Sequence, residues 1–376
     1  MKVLILSVTA GNGHNAAAGA IADMLKKQGV ECKIDDTFLR INKMLYTVIA
    51  KGYLLLSSDF KHIYGSSYYR LEKRKGNSYA PSFTRFYYRF LIKRIYRAIQ
   101  DYDPDVIVST HCFPATMLDI IKEKKGLRAK TVGIVTDFVM HPFWEECLRL
   151  DKLVIANELL IPAAMRKGFN REQILPIGIP INSKFKNRTP KQEARRQLGL
   201  DPEKDTLLIM SGSMGYGHIT RTLEELDRQP KDYQNIVVCG NNREAKEAIG
   251  KKVWKKTILN LGFVSNVELL MDAADCIVSK PGGLTTSEAL AKELPMIIFD
   301  PIAGQEERNV EFLQNCGAAM AISGAYSLSD AIYQFFHFPK LIESMHQSIS
   351  YIRKPDSTED LCRAILSLCG EEQTKS

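Results

Sequence analysis

Short β-branched runs alternate with helical patterns along this chain, and that alternation restricts its fold more than any other feature. "KVLILSV" is apolar at nearly every position, as in a strand buried on both faces, and "NAAAGAIADMLKKQG" follows with helical spacing and stops at Gly29. "ECKIDDT", "PDVIVST", "KTVGIVT" and "KLVIAN" continue the series. After a polar stretch, "NSKFKNRTPKQEARRQLGLDPEKD", it resumes with "TLLIMSGS", "NIVVCG", "TILNLGF", "CIVSK" and "PMIIFD". Strand–helix alternation predicts parallel, doubly wound α/β sheets. The polar stretch predicts a boundary near residue 185, with one Rossmann-like domain over 1–185 and a second over 186–376, facing each other across a cleft. "STEDLCRAILSLC" reads as one amphipathic C-terminal helix.

The chain has 376 residues, enough for two well-buried cores, and with 45% apolar and 25% charged residues it reads as globular. Its net charge of +8 favours an anionic partner: nucleic acid, a membrane surface or a phosphorylated substrate. The eight cysteines form no C-x-x-C pair and read as free thiols in a reducing compartment. No small-residue cleavage site follows the first apolar run, which fits a buried strand better than a signal peptide. The longest apolar stretch, "MLYTVIAKGYLLL", is interrupted by Lys51 and too short to span a bilayer. A membrane role would place the protein on the surface.

Ligands of open parallel sheets bind beyond the carboxyl ends of the strands, where glycines admit a phosphate and a helix N-terminus supplies free N–H groups. Three loops qualify: "TAGNGHNA", "SGSMGYGH" and "SKPGGLTTSEA". The first contains Gly11-x-Gly13-x-x-Ala16, a loose dinucleotide fingerprint, with Asp35 and Asp36 about twenty residues on, where a ribose-binding acid sits in NAD enzymes. His14 is foreign to that fingerprint; it reads either as a helix-start polar residue or as a proton-transfer group. In the third loop Gly282 and Gly283 lead into Thr285, Thr286, Ser287 and Glu288. This suits a diphosphate on the amides with sugar hydroxyls on Glu288, or a Thr–Glu capping box. The next loop adds Gln305, Glu306 and Asn309, amide and carboxylate groups suited to sugar hydroxyls. Asp101, Asp103 and Asp105 resemble a carboxylate metal site and are read as strand caps.

These loops resemble glycosyltransferase family 28, and within it the diacylglycerol glycosyltransferases. Gly11-Asn12-Gly13-His14 matches an early G-x-G-H loop. "STHCFPA" matches a segment usually carrying Pro at Cys112, and "TDFVMHPFW" supplies Asp137, His141 and Trp144. "KPGGLTTSEA" and "IAGQEERN" complete the series, with Ala303 in place of Pro. The likeness runs from the first strand to about residue 325. The central loop, with Gly212, Ser213 and Gly215, departs from the glycine–acid pattern of related synthases. The resemblance implies the GT-B fold, a C-terminal helix that often crosses back to the first domain, and an inverting mechanism with no obligatory cofactor and no metal. It also implies that an acceptor hydroxyl attacks the anomeric carbon of a UDP-sugar. Histidine suits proton removal at neutral pH, which makes His14 the leading base and Asp137 the second candidate or its orienting group. Gly11 and Gly13 belong to the acceptor loop. Phe263 and Val264 are expected beside the uracil, Glu288 at the ribose, and Gln305 and Glu306 at the transferred sugar.

Residues 62–97 interleave Lys and Arg with Tyr and Phe against a single acid, Glu72. The composition suits stacking on nucleic-acid bases, a solvated basic helix face, or a membrane surface. A diacylglycerol acceptor favours the membrane, since basic residues attract anionic headgroups and aromatics enter the interface. Arg85, Phe86, Tyr87, Arg89, Phe90, Lys93 and Arg94 are the expected contacts. The reading is thus a UDP-hexose (glucose or galactose):diacylglycerol transferase at the cytoplasmic face of the membrane, without a nucleic-acid partner. The alternatives are another lipid-linked acceptor or an NAD-dependent enzyme.

Overall fold

The structure is a computed structural model that describes residues 1–9, 13–42, 83–210 and 219–370. Contacts divide the chain into two units: Met1–Ser183 with Ala303–Gln305 and Asp356–Ser376, and Lys184–Ile302 with Glu306–Pro355.

In the first unit, β1 (Lys2–Ser7) leads into α1 (Gly13–Lys27), then β2 (Glu31–Asp36) and α2 (Thr37–Ile41). After the undescribed stretch come α3 (Phe83–Tyr102), β3 (Val106–Ser109), α4 (Cys112–Lys125), β4 (Lys130–Ile134), β5 (Lys152–Val154), α5 (Ile161–Arg166) and β6 (Ile174–Leu175). The strands form one parallel sheet in the order β2-β1-β3-β4-β5-β6. β1 and β3 are buried almost throughout because helices cover both faces, whereas β2, at the edge, carries exposed positions. The sheet order reverses between β1 and β3, so the loops after these strands flank the topological switch point.

In the second unit, α6 (Lys191–Gln197) precedes β7 (Thr206–Met210). Then follow α7 (Ile219–Asp227), β8 (Gln234–Val238), α8 (Arg243–Gly250), β9 (Ile258–Leu261), α9 (Val267–Ala273) and β10 (Cys276–Ser279). The unit continues through α10 (Gly283–Ala291), β11 (Met296–Ile298), α11 (Gln305–Asn315), β12 (Ala319–Ala321), α12 (Leu328–His337) and α13 (Pro339–Ile352). The parallel order is β12-β11-β10-β7-β8-β9, which puts the switch point between β7 and β10. A buried ion pair stiffens this unit: Lys292, 1% exposed, lies 2.8 Å from Asp272, 6% exposed, and also donates to the Asn187 carbonyl.

The last helix, α14 (Ser357–Gly370), belongs to the first unit. Leu361, Cys362, Ile365 and Leu368 pack with Val3, Ile5, Ile21, Leu25, Val106 and Val108 in one core cluster. Burial of each Leu or Ile is worth about 1.5–3 kcal/mol. Two hydroxyls fix the helix start: Ser357 Oγ donates to the Ile179 carbonyl at 2.9 Å and Thr358 Oγ1 to that of Ile181 at 2.6 Å.

Two strands were not read from the sequence. β6 and β12 are two and three residues long and stand at the edges of their sheets, where one-sided pairing does not need the continuous apolar run that marks the equally short inner strands β5 and β11. Asp105 is a strand anchor: its carboxylate accepts from the Lys2 amide at 2.7 Å, joining the start of β1 to the loop before β3.

Candidate active site

Both switch points carry chemistry-bearing loops. In the first unit the chain leaves β1 and enters α1 at Gly13, which places His14 at the start of that helix. Residues 10–12, including Gly11, lie outside the described residues. On either side of them, Ser7 Oγ donates to Asn15 Oδ1 at 2.6 Å, Asn15 Nδ2 donates to Thr9 Oγ1, and Thr9 donates to Asp36 at 2.7 Å. Asp36 also caps α2 through the Leu39 amide, and Asp35 pairs with Arg40. Both acids are therefore engaged in local structure.

His14 Nδ1 lies 2.8 Å from the Thr110 main-chain carbonyl and 3.2 Å from Thr136 Oγ1. A carbonyl only accepts, so Nδ1 carries the proton and Nε2 the lone pair. Burial lowers the His14 pKa from 6.5 to about 4, against the opposing pull of the Thr110 carbonyl. The imidazole is neutral at physiological pH. Beside it, the His111 ring stands edge-on at 4.7 Å. Burial and the neighbouring histidines hold His111 well below its ordinary value; burial and Lys167 lower His141 to about 4. Asp137 is buried and accepts from Nε2 of Gln305, whose contacts group it with this unit. The group that orients His14 at Nδ1 is thus a main-chain carbonyl. Trp144 of the same segment is a core residue packed over Gly133: a Cβ at Gly133 would lie 2.9 Å from the indole and 2.7 Å from Leu150.

In the second unit, α10 starts directly after the Pro281–Gly282 turn. Its N-cap is Gly282, with no side-chain cap, so the Thr–Glu capping box is not the arrangement found. Gly283 is the first helical residue and Thr285 sits in the first turn. The Thr286 hydroxyl is buried without a hydrogen-bond partner. Asn309 is fully buried; its amide donates to the Pro281 carbonyl at 2.9 Å and so shapes the turn from behind. One oxygen of Glu306 accepts from the Ile302 amide at 2.7 Å and fixes the neighbouring loop, while Lys280 pairs with Asp300 at 3.3 Å. Glu288 is half-buried. Desolvation raises its pKa to about 8, Glu268 adds to the rise, and Lys184 opposes it. Lys184 pairs with Glu268 at 2.6 Å and donates to the Ser265 carbonyl, steadying the loop that carries Phe263 and Val264. Phe263 is 66% exposed, a flat apolar face available to a planar ring. Gly212, Ser213 and Gly215 lie outside the described residues.

On α3, Tyr88, Ile92, Ile95 and Ile99 form the buried stripe, spaced as one helical face. Arg89, Lys93 and Arg94 are exposed, and Arg94 also donates to the Ile41 carbonyl. The side chains of Arg85, Phe86, Tyr87 and Phe90 lie outside the described ones. Among the described residues, no helix is long and apolar enough to cross a membrane.

The family model of monogalactosyldiacylglycerol (MGDG) synthase matches residues 14–181, and that of the glycosyltransferase family 28 C-terminal domain matches residues 206–360. The chain belongs to glycosyltransferase family 28, in its diacylglycerol glycosyltransferase group. Among curated relatives of this family 28 member, a processive diacylglycerol beta-glucosyltransferase of Bacillus pumilus is 28% identical. That match covers 97% of this chain and 94% of the relative. Among solved structures, Acinetobacter baumannii MurG superposes with a TM-score of 0.63 at 15% identity, covering 97% of this chain and 99% of its own. The glycosyltransferase of kitacinnamycin does so with a TM-score of 0.65 at 13% identity, covering 98% of each chain. The fold is accordingly GT-B, built of two Rossmann-like domains.

One feature of the site escaped the sequence reading. His111-Cys112-Phe113 and His141-Pro142-Phe143 repeat a His-x-Phe pattern in the loops after neighbouring strands. Repetition of so short a pattern was visible in the sequence, but its meaning depends on β3 and β4 lying side by side.

Proposed function

We propose that this chain transfers a hexose from a UDP-hexose to the free hydroxyl of diacylglycerol, with inversion at the anomeric carbon. The supporting observation is the His14 tautomer: Nδ1–H on the Thr110 carbonyl leaves Nε2 as a proton acceptor at the switch point. In this reading Nε2 takes the acceptor's hydroxyl proton while the oxygen attacks the sugar C1 and the C1–O bond to the diphosphate breaks. Negative charge then grows on the departing UDP. Free amides at the start of α10, behind Gly282 and Gly283, and the positive end of its dipole stabilise that charge. Glu288 receives the ribose hydroxyls, Phe263 and Val264 the uracil, and Gln305 and Glu306 the hexose. Asp137 holds Gln305. The exposed Arg89, Lys93 and Arg94 of α3 draw the protein to an anionic membrane surface, where its acceptor resides. The names of the curated relatives support diacylglycerol as acceptor and glucose as the transferred sugar.

The test is mass spectrometry of lipids after incubating the purified protein with diacylglycerol micelles and either UDP-glucose or UDP-galactose. The expected product is a hexosyl-diacylglycerol that depends on the UDP-sugar. Absence of product with both donors refutes the reading.

A further inference from the structure

The two His-x-Phe loops are built alike. In each, the imidazole Nδ1 accepts from the main-chain amide of the Phe two residues on, at 3.1 Å for His111 and 3.2 Å for His141. In each, the imidazole leans over that Phe ring with centroids 4.7 Å apart. The two Phe rings lie 6.2 Å from one another, and the buried Phe38 and Tyr88 back Phe113 at 5.6 and 5.8 Å. Together with His14, five half-buried rings line the ends of β1, β3 and β4.

The hydrogen bonds fix each tautomer. A nitrogen that accepts an amide proton carries none itself, so a neutral His111 or His141 bears its proton on Nε2. His14 is the opposite, with its lone pair on Nε2. The wall therefore offers a proton acceptor at His14 and an N–H donor at His111, both uncharged. Capping alone does not need imidazole: at the end of β5 the chain does the same job with Asn157, whose Oδ1 accepts from the Leu159 amide at 3.0 Å. What His111 and His141 add over Asn is a ring and a second, opposed N–H.

We propose that His111, with His141 beside it, recognises the acceptor by donating from Nε2–H to an oxygen that carries no proton, the ester carbonyl next to the hydroxyl that His14 deprotonates. This rests on the acceptor reading above and names the group by which the acceptor is chosen. Neutral rings fit an uncharged carbonyl. A phosphate-linked acceptor would instead reward an imidazolium, which the burial of this wall disfavours.

The experiment compares 1,2-diacylglycerol with a 1,2-dialkylglycerol of the same chain length, which lacks the carbonyls, in mixed micelles. The native protein is expected to show a kcat/KM about tenfold higher on the diester, the size of one net hydrogen bond. His111→Asn keeps an acceptor for the Phe113 amide but loses the opposed N–H. It should lose about tenfold on the diester and less than about twofold on the diether. UDP affinity and thermal midpoint should stay native. His111→Gln, which returns an N–H near the Nε2 position, should restore the diester preference. Equal native turnover of both lipids overturns the inference, even if the Asn variant does not fold. An equal loss on both lipids in His111→Asn also overturns it. Glycosylation of neither lipid would refute the acceptor reading itself, and the inference with it.

Discussion

Protonating His14 should silence the enzyme only at strongly acidic pH, and the structure sets where. An ordinary imidazole, with pKa about 6.5, is only about 3% neutral at pH 5. At the value of about 4 that burial imposes here, about 90% is neutral at that pH. Activity that needs the lone pair on Nε2 therefore differs about thirty-fold at pH 5 between the two cases. The assay is kcat/KM for diacylglycerol from about pH 3.5 to about 8 with UDP-hexose saturating, so that ionisation of the nucleotide site does not enter. The acid limb should lie near pH 4, with little loss between pH 7 and 5.5. His14→Ala should lower kcat by about 10²–10⁴ with UDP affinity unchanged, and its residual rate should lack that limb. A limb centred at 6.5 in the native protein would refute a base buried behind the Thr110 carbonyl. Near-native turnover in His14→Ala would remove His14 from the chemistry. The same shift acts on stability. The unfolded chain binds protons below pH 6.5 that native His14 and His141 refuse until about pH 4. Stability should therefore fall as pH drops through that window, by about 1.4 kcal/mol per unit for each group.

Glu288→Ala should weaken UDP by about 1.5–3 kcal/mol, the worth of a hydrogen bond to a charged group; unchanged affinity by calorimetry would leave Glu288 a packing role. Because native Glu288 holds its proton up to about pH 8, UDP binding near pH 7 should release a proton. Equal heats in buffers of different ionisation enthalpy would contradict this. Replacing Arg85, Arg89, Lys93 and Arg94 together by Gln should remove several kcal/mol of vesicle attraction, at about 1 kcal/mol per charge. Native binding should need anionic lipid and weaken with salt; co-sedimentation that ignores both would exclude electrostatic docking. Gly133→Ala should destabilise the first unit by about 1–3 kcal/mol, since its Cβ would collide with Trp144 and Leu150. An unchanged urea midpoint would show that those side chains yield freely.

Local patterns in the sequence were enough to establish the alternation of strands and helices, the glycine loops and the two-domain class. Each of those signals is confined to ten or fifteen residues, and burial on both faces of a parallel sheet writes itself into runs such as "KVLILS" and "NIVV". The motifs also pointed to His14 and Glu288, because the residue types suit the chemistry. The sequence carried no hint of which nitrogen of His14 holds the proton. That is decided by a carbonyl 96 residues away, brought there by β1 pairing with β3. The same pairing, with β4 beside β3, turns two separate His-x-Phe tripeptides into one wall of neutral rings. Trp144 stands in the "TDFVMHPFW" segment that carries the family resemblance, and in the fold a glycine in β4 makes room for it in the core. The capping box that "TTSE" allowed is absent because Gly282 occupies the cap position. Tautomer, desolvation and cap geometry all depend on neighbours distant in the chain or on the local backbone path, which only the folded chain supplies.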